Sequence, residues 1–201
     1  PYAREIVAVD LNTTDIAEKS NKEFSNISFF TADIAEMDMG RQFDIVFSIG
    51  VIHHTNNPDM TVNNLKRHTM QGGRLIMWVY SEEGNFLIKN ILEPMRKTFL
   101  RNISRKKLNL LSSLITFLMY IPVYTFYKLP LKFLPYYEYF ENFRKLSFTR
   151  NNLNVFDKLN APQVEFISKH RATGWFSEKE FENIHISSYK GVSWRVSGTK
   201  K

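Results

Sequence analysis

Apolar residues in the first eighty positions come in short runs rich in β-branched and aromatic side chains, separated by stretches of helix-forming length. "REIVAVDLN" (4–12) ends a strand at Asp10, and "NISFFTADIAEMD" (26–38) holds a second strand ending near Asp33. "FDIVFSIG" (43–50) predicts a third and "RLIMWVY" (74–80) a fourth. Residues 13–24 predict a helix with Thr13 or Thr14 as N-cap. "PDMTVNNLKRHTM" predicts another, opened by Pro58 and stopped at "QGG", where Gly72 or Gly73 suits a left-handed cap. Strands alternating with helices imply parallel βαβ units with right-handed crossovers. The near-continuous apolar runs agree, because parallel strands are covered on both faces.

The rhythm stops after residue 85. From 86 to about 160 the pattern is helical, basic and aromatic-rich, broken at Pro122, Pro130 and Pro135, which reads as an insertion or cap. Residues 168–181 then predict a helix capped by Ser168, despite Gly174. Two strand runs follow, 183–189 and 192–200, around Lys190-Gly191, where Gly191 supplies the positive φ of a tight hairpin. The fold class expected is therefore α/β: a Rossmann-like, mostly parallel sheet with a C-terminal antiparallel hairpin and a helical insertion. Residues 1–85 and 160–201 form the core and 86–159 the insertion.

Composition narrows the chemistry. The 201 residues suit one domain with an inserted part, and the absence of cysteine excludes disulfides, thiolate metal sites and a cysteine nucleophile. No charged-then-apolar leader opens the chain, and a cytoplasmic protein is expected, with membrane association through the insertion left open. The net charge of +7 is uneven: residues 86–150 hold 12 Lys/Arg against 3 Asp/Glu, the remainder 15 against 17. Within the insertion, "LNLLSSLITFLMYIPVYTFY" (108–127) is 20 residues without a charge, preceded by "RKK" and followed by Lys128. Its length permits a membrane span, but Asn109, Ser112, Ser113, Thr116, Pro122, Thr125 and three tyrosines argue against one. The remaining readings are a cap helix over an active site, or a basic, apolar surface that rests on a membrane or receives a lipid-like acceptor. No nucleic acid is expected, since no recognised binding motif accompanies the charge.

The candidate chemistry sits at strand ends. An ionised Asp10 can accept hydrogen bonds from both hydroxyls of a ribose, or cap the turn that follows. In "FSIGVIHHTNNP", Gly50 allows close backbone approach to a ligand. His53 and His54 then either shape the loop or handle an acceptor's proton, a task that suits a neutral imidazole near pH 7. No metal site is expected, because no other His or acid stands at a convincing ligand spacing.

"VAVDLN", "TADIAEM" and "FDIVFSIGVIHHTNNP" followed by "QGGRLIMWVY", in that order and closed by a hairpin, resemble the class I S-adenosylmethionine-dependent methyltransferases of the type 11/12 kind. The resemblance covers residues 2–80 and 165–201. It implies S-adenosylmethionine as cofactor, with Asp10 and Leu11 at the ribose and Asp33 at the adenine amino group, where Asp33 otherwise reads as an N-cap. It places Ile34 on the adenine face, and Ser48, Ile49 and Gly50 where cofactor and substrate meet. His53 and His54 become the catalytic candidates. The implied activity is methyl transfer to a small-molecule or lipid-like acceptor by in-line displacement. A catalytically inactive methyltransferase-like binding module is the alternative. A nicotinamide-dependent dehydrogenase is a second, against which the closing hairpin argues. The family's glycine-rich turn should precede "VAVDLN", yet none of the eight glycines precedes Gly40. With strand-like sequence beginning almost at Pro1, the expectation is a fragment lacking the first strand and glycine turn, rather than a degenerate relative.

Overall fold

The computed structural model describes residues 3–100, 102–160 and 164–201. Strands β1 (Ile6–Asp10) and β2 (Ile27–Thr31) pair in parallel, Ile6 opposite Ile27 and Asp10 opposite Thr31, with α1 (Thr14–Ser20) as the crossover. A second sheet has the order β3-β4-β6-β5. Here β3 (Phe43–Ile49) runs parallel to β4 (Thr69–Tyr80) across α2 (Pro58–His68). The hairpin of β5 (Phe181–Tyr189) and β6 (Ser193–Lys200) joins antiparallel to β4 through β6. The expected mixed α/β fold, with an antiparallel hairpin closing a parallel sheet, is therefore present. Lys190 and Gly191 both take positive φ, +54° and +69°, at the hairpin tip.

Several boundaries differ from the sequence expectation. The first helix ends at Ser20, not near residue 24, and Asn21 caps it by donating its side-chain amide to the Ala17 carbonyl. The second strand ends at Thr31, which leaves Asp33 two residues beyond it. "QGG" does not stop a helix. It lies inside β4, where Phe43 pairs with Thr69 but Ile45 already pairs with Arg74. Residues 70–73 are thus a bulge, and Gly72, at φ +75°, supplies its left-handed residue. Helix α7 is only Lys169–Gly174; Ser168 caps it as expected, accepting from the Arg171 N–H at 3.2 Å, and β5 begins early, at Phe181. Pro122 does not break its helix.

Alternation along β4 places Leu75, Met77 and Val79 on one face. There they meet Val62 and Leu65 of α2, Ala172 of α7, and Phe181 and Val196 of the hairpin, all buried. Asp59 on α2 accepts from the Trp175 indole at 2.5 Å and from Arg171 at 2.7 Å, which fastens α2 to α7. The other face is less covered: on β3, Ile45, Phe47 and Ile49 follow the same period of two and are exposed. Among the described residues β1 pairs with β2 alone and β3 with β4 alone, so each keeps one unpaired edge.

The segment from 88 to 160 contributes helices only among its described residues. One α turn, α3 (Glu93–Met95), lies between π-helical stretches Ile88–Leu92 and Arg96–Leu100. Then come α4 (Arg105–Thr125), α5 (Tyr137–Phe143) and α6 (Phe148–Asn160). They build a separate apolar cluster from Leu108 on α4 and Val155, Phe156 and Leu159 on α6. A buried Glu93–Arg96 ion pair, 2.7 Å, holds the π-helical stretch, and its Arg96 guanidinium also reaches the Lys158 carbonyl.

Candidate functional site

The parallel register brings two acids to one end of the first sheet. Asp10 closes β1 opposite Thr31, and its carbonyl accepts from the Ala32 N–H at 3.2 Å, so Asp33 follows immediately on the neighbouring strand. Asp10 Oδ1 accepts from the backbone N–H groups of Asn12 (2.8 Å) and Thr13 (2.7 Å). Partial burial pushes this carboxyl up, but the donations from Asn12 and Thr13 outweigh it and hold the pKa below the usual range. Both backbone donations of the turn thus fall on one oxygen, and the Thr13 hydroxyl also donates to this carboxylate. Leu11 is exposed beside it. Asp33 Oδ1 accepts from the Ala35 N–H at 2.8 Å, which closes a turn over residues 34–36 and not the helix an N-cap would open, and Ile34 is half-buried.

Asn64 pins this turn to α2. Its buried amide donates to the carbonyls of Ile34 (3.0 Å) and Met37 (2.8 Å). The sequence reading missed it, because one asparagine in a helix looks like a solvent-face residue.

The second group of candidates lies where β3 and β4 end. Ser48 points to the covered face, where its hydroxyl is buried without a hydrogen-bond partner, whereas Ile49 is exposed on the opposite face. Gly50 has φ +79° and donates its N–H to the Trp78 carbonyl at 3.1 Å. The left-handed φ favours glycine, and a Cβ there would crowd the Trp78 ring at 3.3 Å. His53 and His54 follow in a single 3-10 turn, Ile52–His54.

The two histidines have different surroundings. His53 is 1% exposed, its ring 4.2 Å from Tyr80, 4.4 Å from His54 and 5.9 Å from Trp78, centroid to centroid. Neither of its nitrogens has a hydrogen-bond partner. Burial, with the His54 ring and the Lys158 ammonium adding to it, pushes its pKa down to about 3. His53 is therefore neutral throughout the physiological range. His54 is half-buried beside it. Lys158 from α6 stands over the Tyr80 ring at 5.5 Å and over Tyr139 at 5.3 Å, which brings the helical segment against this aromatic group. Trp78 and Tyr80, spaced by two on β4, were readable as one face of a strand but not as a box around His53.

The 640 Å³ cleft between α4 and α6, lined by Arg105, Lys106, Asn109, Asn152 and Phe156, contains none of these strand-end residues. The chemistry of the acids and imidazoles, not cleft size, locates the candidate site. Among the described residues no group of three or more His, Cys, Asp or Glu could hold a metal ion.

Residues 1–77 match the family model described as a methyltransferase domain. The magnesium protoporphyrin IX methyltransferase of Synechocystis PCC 6803, solved with bound SAH, superposes with a TM-score of 0.51 at 11% identity, over 98% of this chain and 64% of that one. This is the class I methyltransferase fold. The CurJ carbon methyltransferase shares it, with a TM-score of 0.53 at 9% identity over 98% of this chain and 41% of its own. So does a possible histamine N-methyltransferase of Thermotoga maritima, with a TM-score of 0.50 at 13% identity over 98% and 73%. The chain thus spans less than two thirds of the first two of these methyltransferases. No curated protein sequence matches it.

Within this fold, the acids at the ends of β1 and β2 and the Gly50 turn after β3 all lie at carboxyl ends of parallel strands, where open α/β sheets bind ligands. Asp10 offers a carboxylate acceptor there, Ile34 a half-buried apolar side chain and Gly50 an approachable backbone, chemistry of the kind an adenosine group would need. For the methionine half of S-adenosylmethionine the described residues offer no glycine-rich turn.

Proposed function

We propose that this chain carries the adenosine-binding and acceptor-facing parts of an S-adenosylmethionine-dependent methyltransferase. The observation that carries the reading is the placing of two acids at one end of adjacent parallel strands, Asp10 opposite Thr31 and Asp33 two residues beyond it. With Oδ1 held by the turn, Asp10 Oδ2 is the oxygen for a ribose hydroxyl, with Leu11 beside it. Asp33 accepts from the adenine amino group and Ile34 covers its face. Gly50 lets the backbone approach where a side chain would meet Trp78, with Ser48 and Ile49 on the strand leading into it.

The bound cofactor supplies a methyl group on a sulfonium, already activated for displacement. The chain's own residues orient the acceptor, exclude water and manage a proton. In this reading His54 holds the acceptor's proton. His53, neutral and buried, fixes the 3-10 turn and gives the aromatic wall of Trp78 and Tyr80 its shape. The acceptor is a small or lipid-like molecule, supported by the apolar helical segment that reaches the wall through Lys158.

Among the described residues β1 and β3 are each paired on one side alone, which favours weak cofactor binding because a singly paired strand holds its end less firmly. Titration calorimetry with S-adenosylmethionine tests this: weak or absent heat is expected, and micromolar affinity contradicts it. Transfer of a labelled methyl group from the cofactor into an organic-extractable product then separates an enzyme from an inactive methyltransferase-like binding module, which would bind and transfer nothing.

A further inference from the structure

Helix α4 is inside out. At about 100° per residue, Leu110, Leu114, Phe117, Leu118, Ile121 and Tyr124 fall within one sector of about 120°. All six are exposed, Leu110 at 73% and Phe117 at 64%. The opposite sector holds Leu108, Ser112, Thr116 and Val123, all buried. There Ser112 donates to Asn152 Oδ1 of α6 at 2.8 Å, and Thr116 bonds back to the Ser112 carbonyl at 2.7 Å. Small hydroxyl residues face the partner helix and large apolar ones face outward, the reverse of a helix built for water. Only 17% of the most apolar stretch of Arg105–Lys128 is buried.

Charge indicates what covers this face. Lys106 and Lys107, both exposed, stand at the head of the stripe in the same sector, and exposed Lys128 follows its tail. Residues 86–150 carry 12 Lys/Arg against 3 Asp/Glu. An apolar stripe ended by lysines complements an anionic bilayer surface, with the side chains among acyl chains and the ammonium groups at the headgroups. Because α6 occupies the reverse face, the helix lies along the surface and does not cross it.

We propose that the exposed face of α4 docks the protein onto the surface of an anionic lipid bilayer. The proposal stands independently of methyl transfer, because its readout is vesicle binding. Co-sedimentation of the full chain with vesicles of equal parts phosphatidylglycerol and phosphatidylcholine is expected to show binding that salt weakens. Vesicles of phosphatidylcholine alone should bind far less. Lys106→Gln and Lys107→Gln should each lower binding about fivefold. Leu114→Asn with Phe117→Asn should lower it at least about tenfold while circular dichroism stays unchanged, because neither side chain is packed. Absence of binding to anionic vesicles overturns the proposal. So does binding that the stripe variants leave intact, or self-association in solution that Phe117→Asn abolishes, which would make a second copy the occupant.

Discussion

His53 lies 4.2 Å from Tyr80, ring centroid to ring centroid, in a place so enclosed that neither imidazole nitrogen meets a hydrogen-bond partner. A buried polar ring left unpaired costs free energy, and an apolar side chain of similar volume removes that cost. His53→Leu is therefore expected to raise unfolding stability by about 1–2 kcal/mol at pH 7, measured by urea denaturation. A loss of stability would show that the ring is satisfied in solution.

The same burial gives a pH signature. The folded-state pKa of about 3 lies below that of an unfolded histidine, so the unfolded chain binds the proton first as pH falls. Stability is intact above about pH 6.5 and declines toward pH 3 by up to about 1.4 kcal/mol per unit. Thermal unfolding across that window should be visibly less pH-dependent in His53→Leu than in the parent. Parallel curves would place the titration elsewhere.

Asp10 separates two roles in one side chain. Asp10→Asn keeps an acceptor for the Asn12 and Thr13 N–H groups but loses the charge offered to a ribose. It should leave unfolding stability within about 0.5 kcal/mol and weaken S-adenosylhomocysteine binding by about 1.5–3 kcal/mol. Asp10→Ala should lower both. If binding survives Asp10→Asn unchanged, the acid only caps its turn.

Asn64 acts on the site without a place in it. Asn64→Ala removes two buried donations to the turn after Asp33 and should cost about 1–3 kcal/mol of stability. Ligand binding should fall as the turn loosens. Amide hydrogen exchange should speed up at residues 34–37 and leave the hairpin unaffected. Exchange that rises evenly across the chain would make Asn64 a general core residue.

The readable parts of this fold are those where side-chain period and backbone demand coincide. β1, β3 and β4 announce themselves because uninterrupted β-branched runs have few alternatives, and Gly191 marks the hairpin because its tip needs positive φ. "QGG" misled because glycines after a helical pattern suit a cap and a bulge equally, and only pairing with β3 decides. Asp10 was legible as a strand-end acid, whereas Asp33 lies two residues past its strand. The burial of His53 was not, since adjacent residues on a 3-10 turn diverge in directions set by Trp78 and Tyr80. Nor was the orientation of α4: Ser112 and Thr116 suggest a solvent face by their chemistry, and only packing against α6 shows that they turn inward.

The claim that this chain holds the adenosine half of the cofactor is tested most directly by saturation-transfer-difference NMR of S-adenosylhomocysteine with the full chain. Weak binding favours that experiment, and each ligand proton reports its own proximity. The adenine and ribose protons should receive the stronger saturation, the homocysteine methylenes little, and Asp10→Asn should diminish the ribose signals. Equal or stronger saturation along the homocysteine chain, or none at any proton, would contradict the assignment of Asp10, Asp33 and Gly50 to this site.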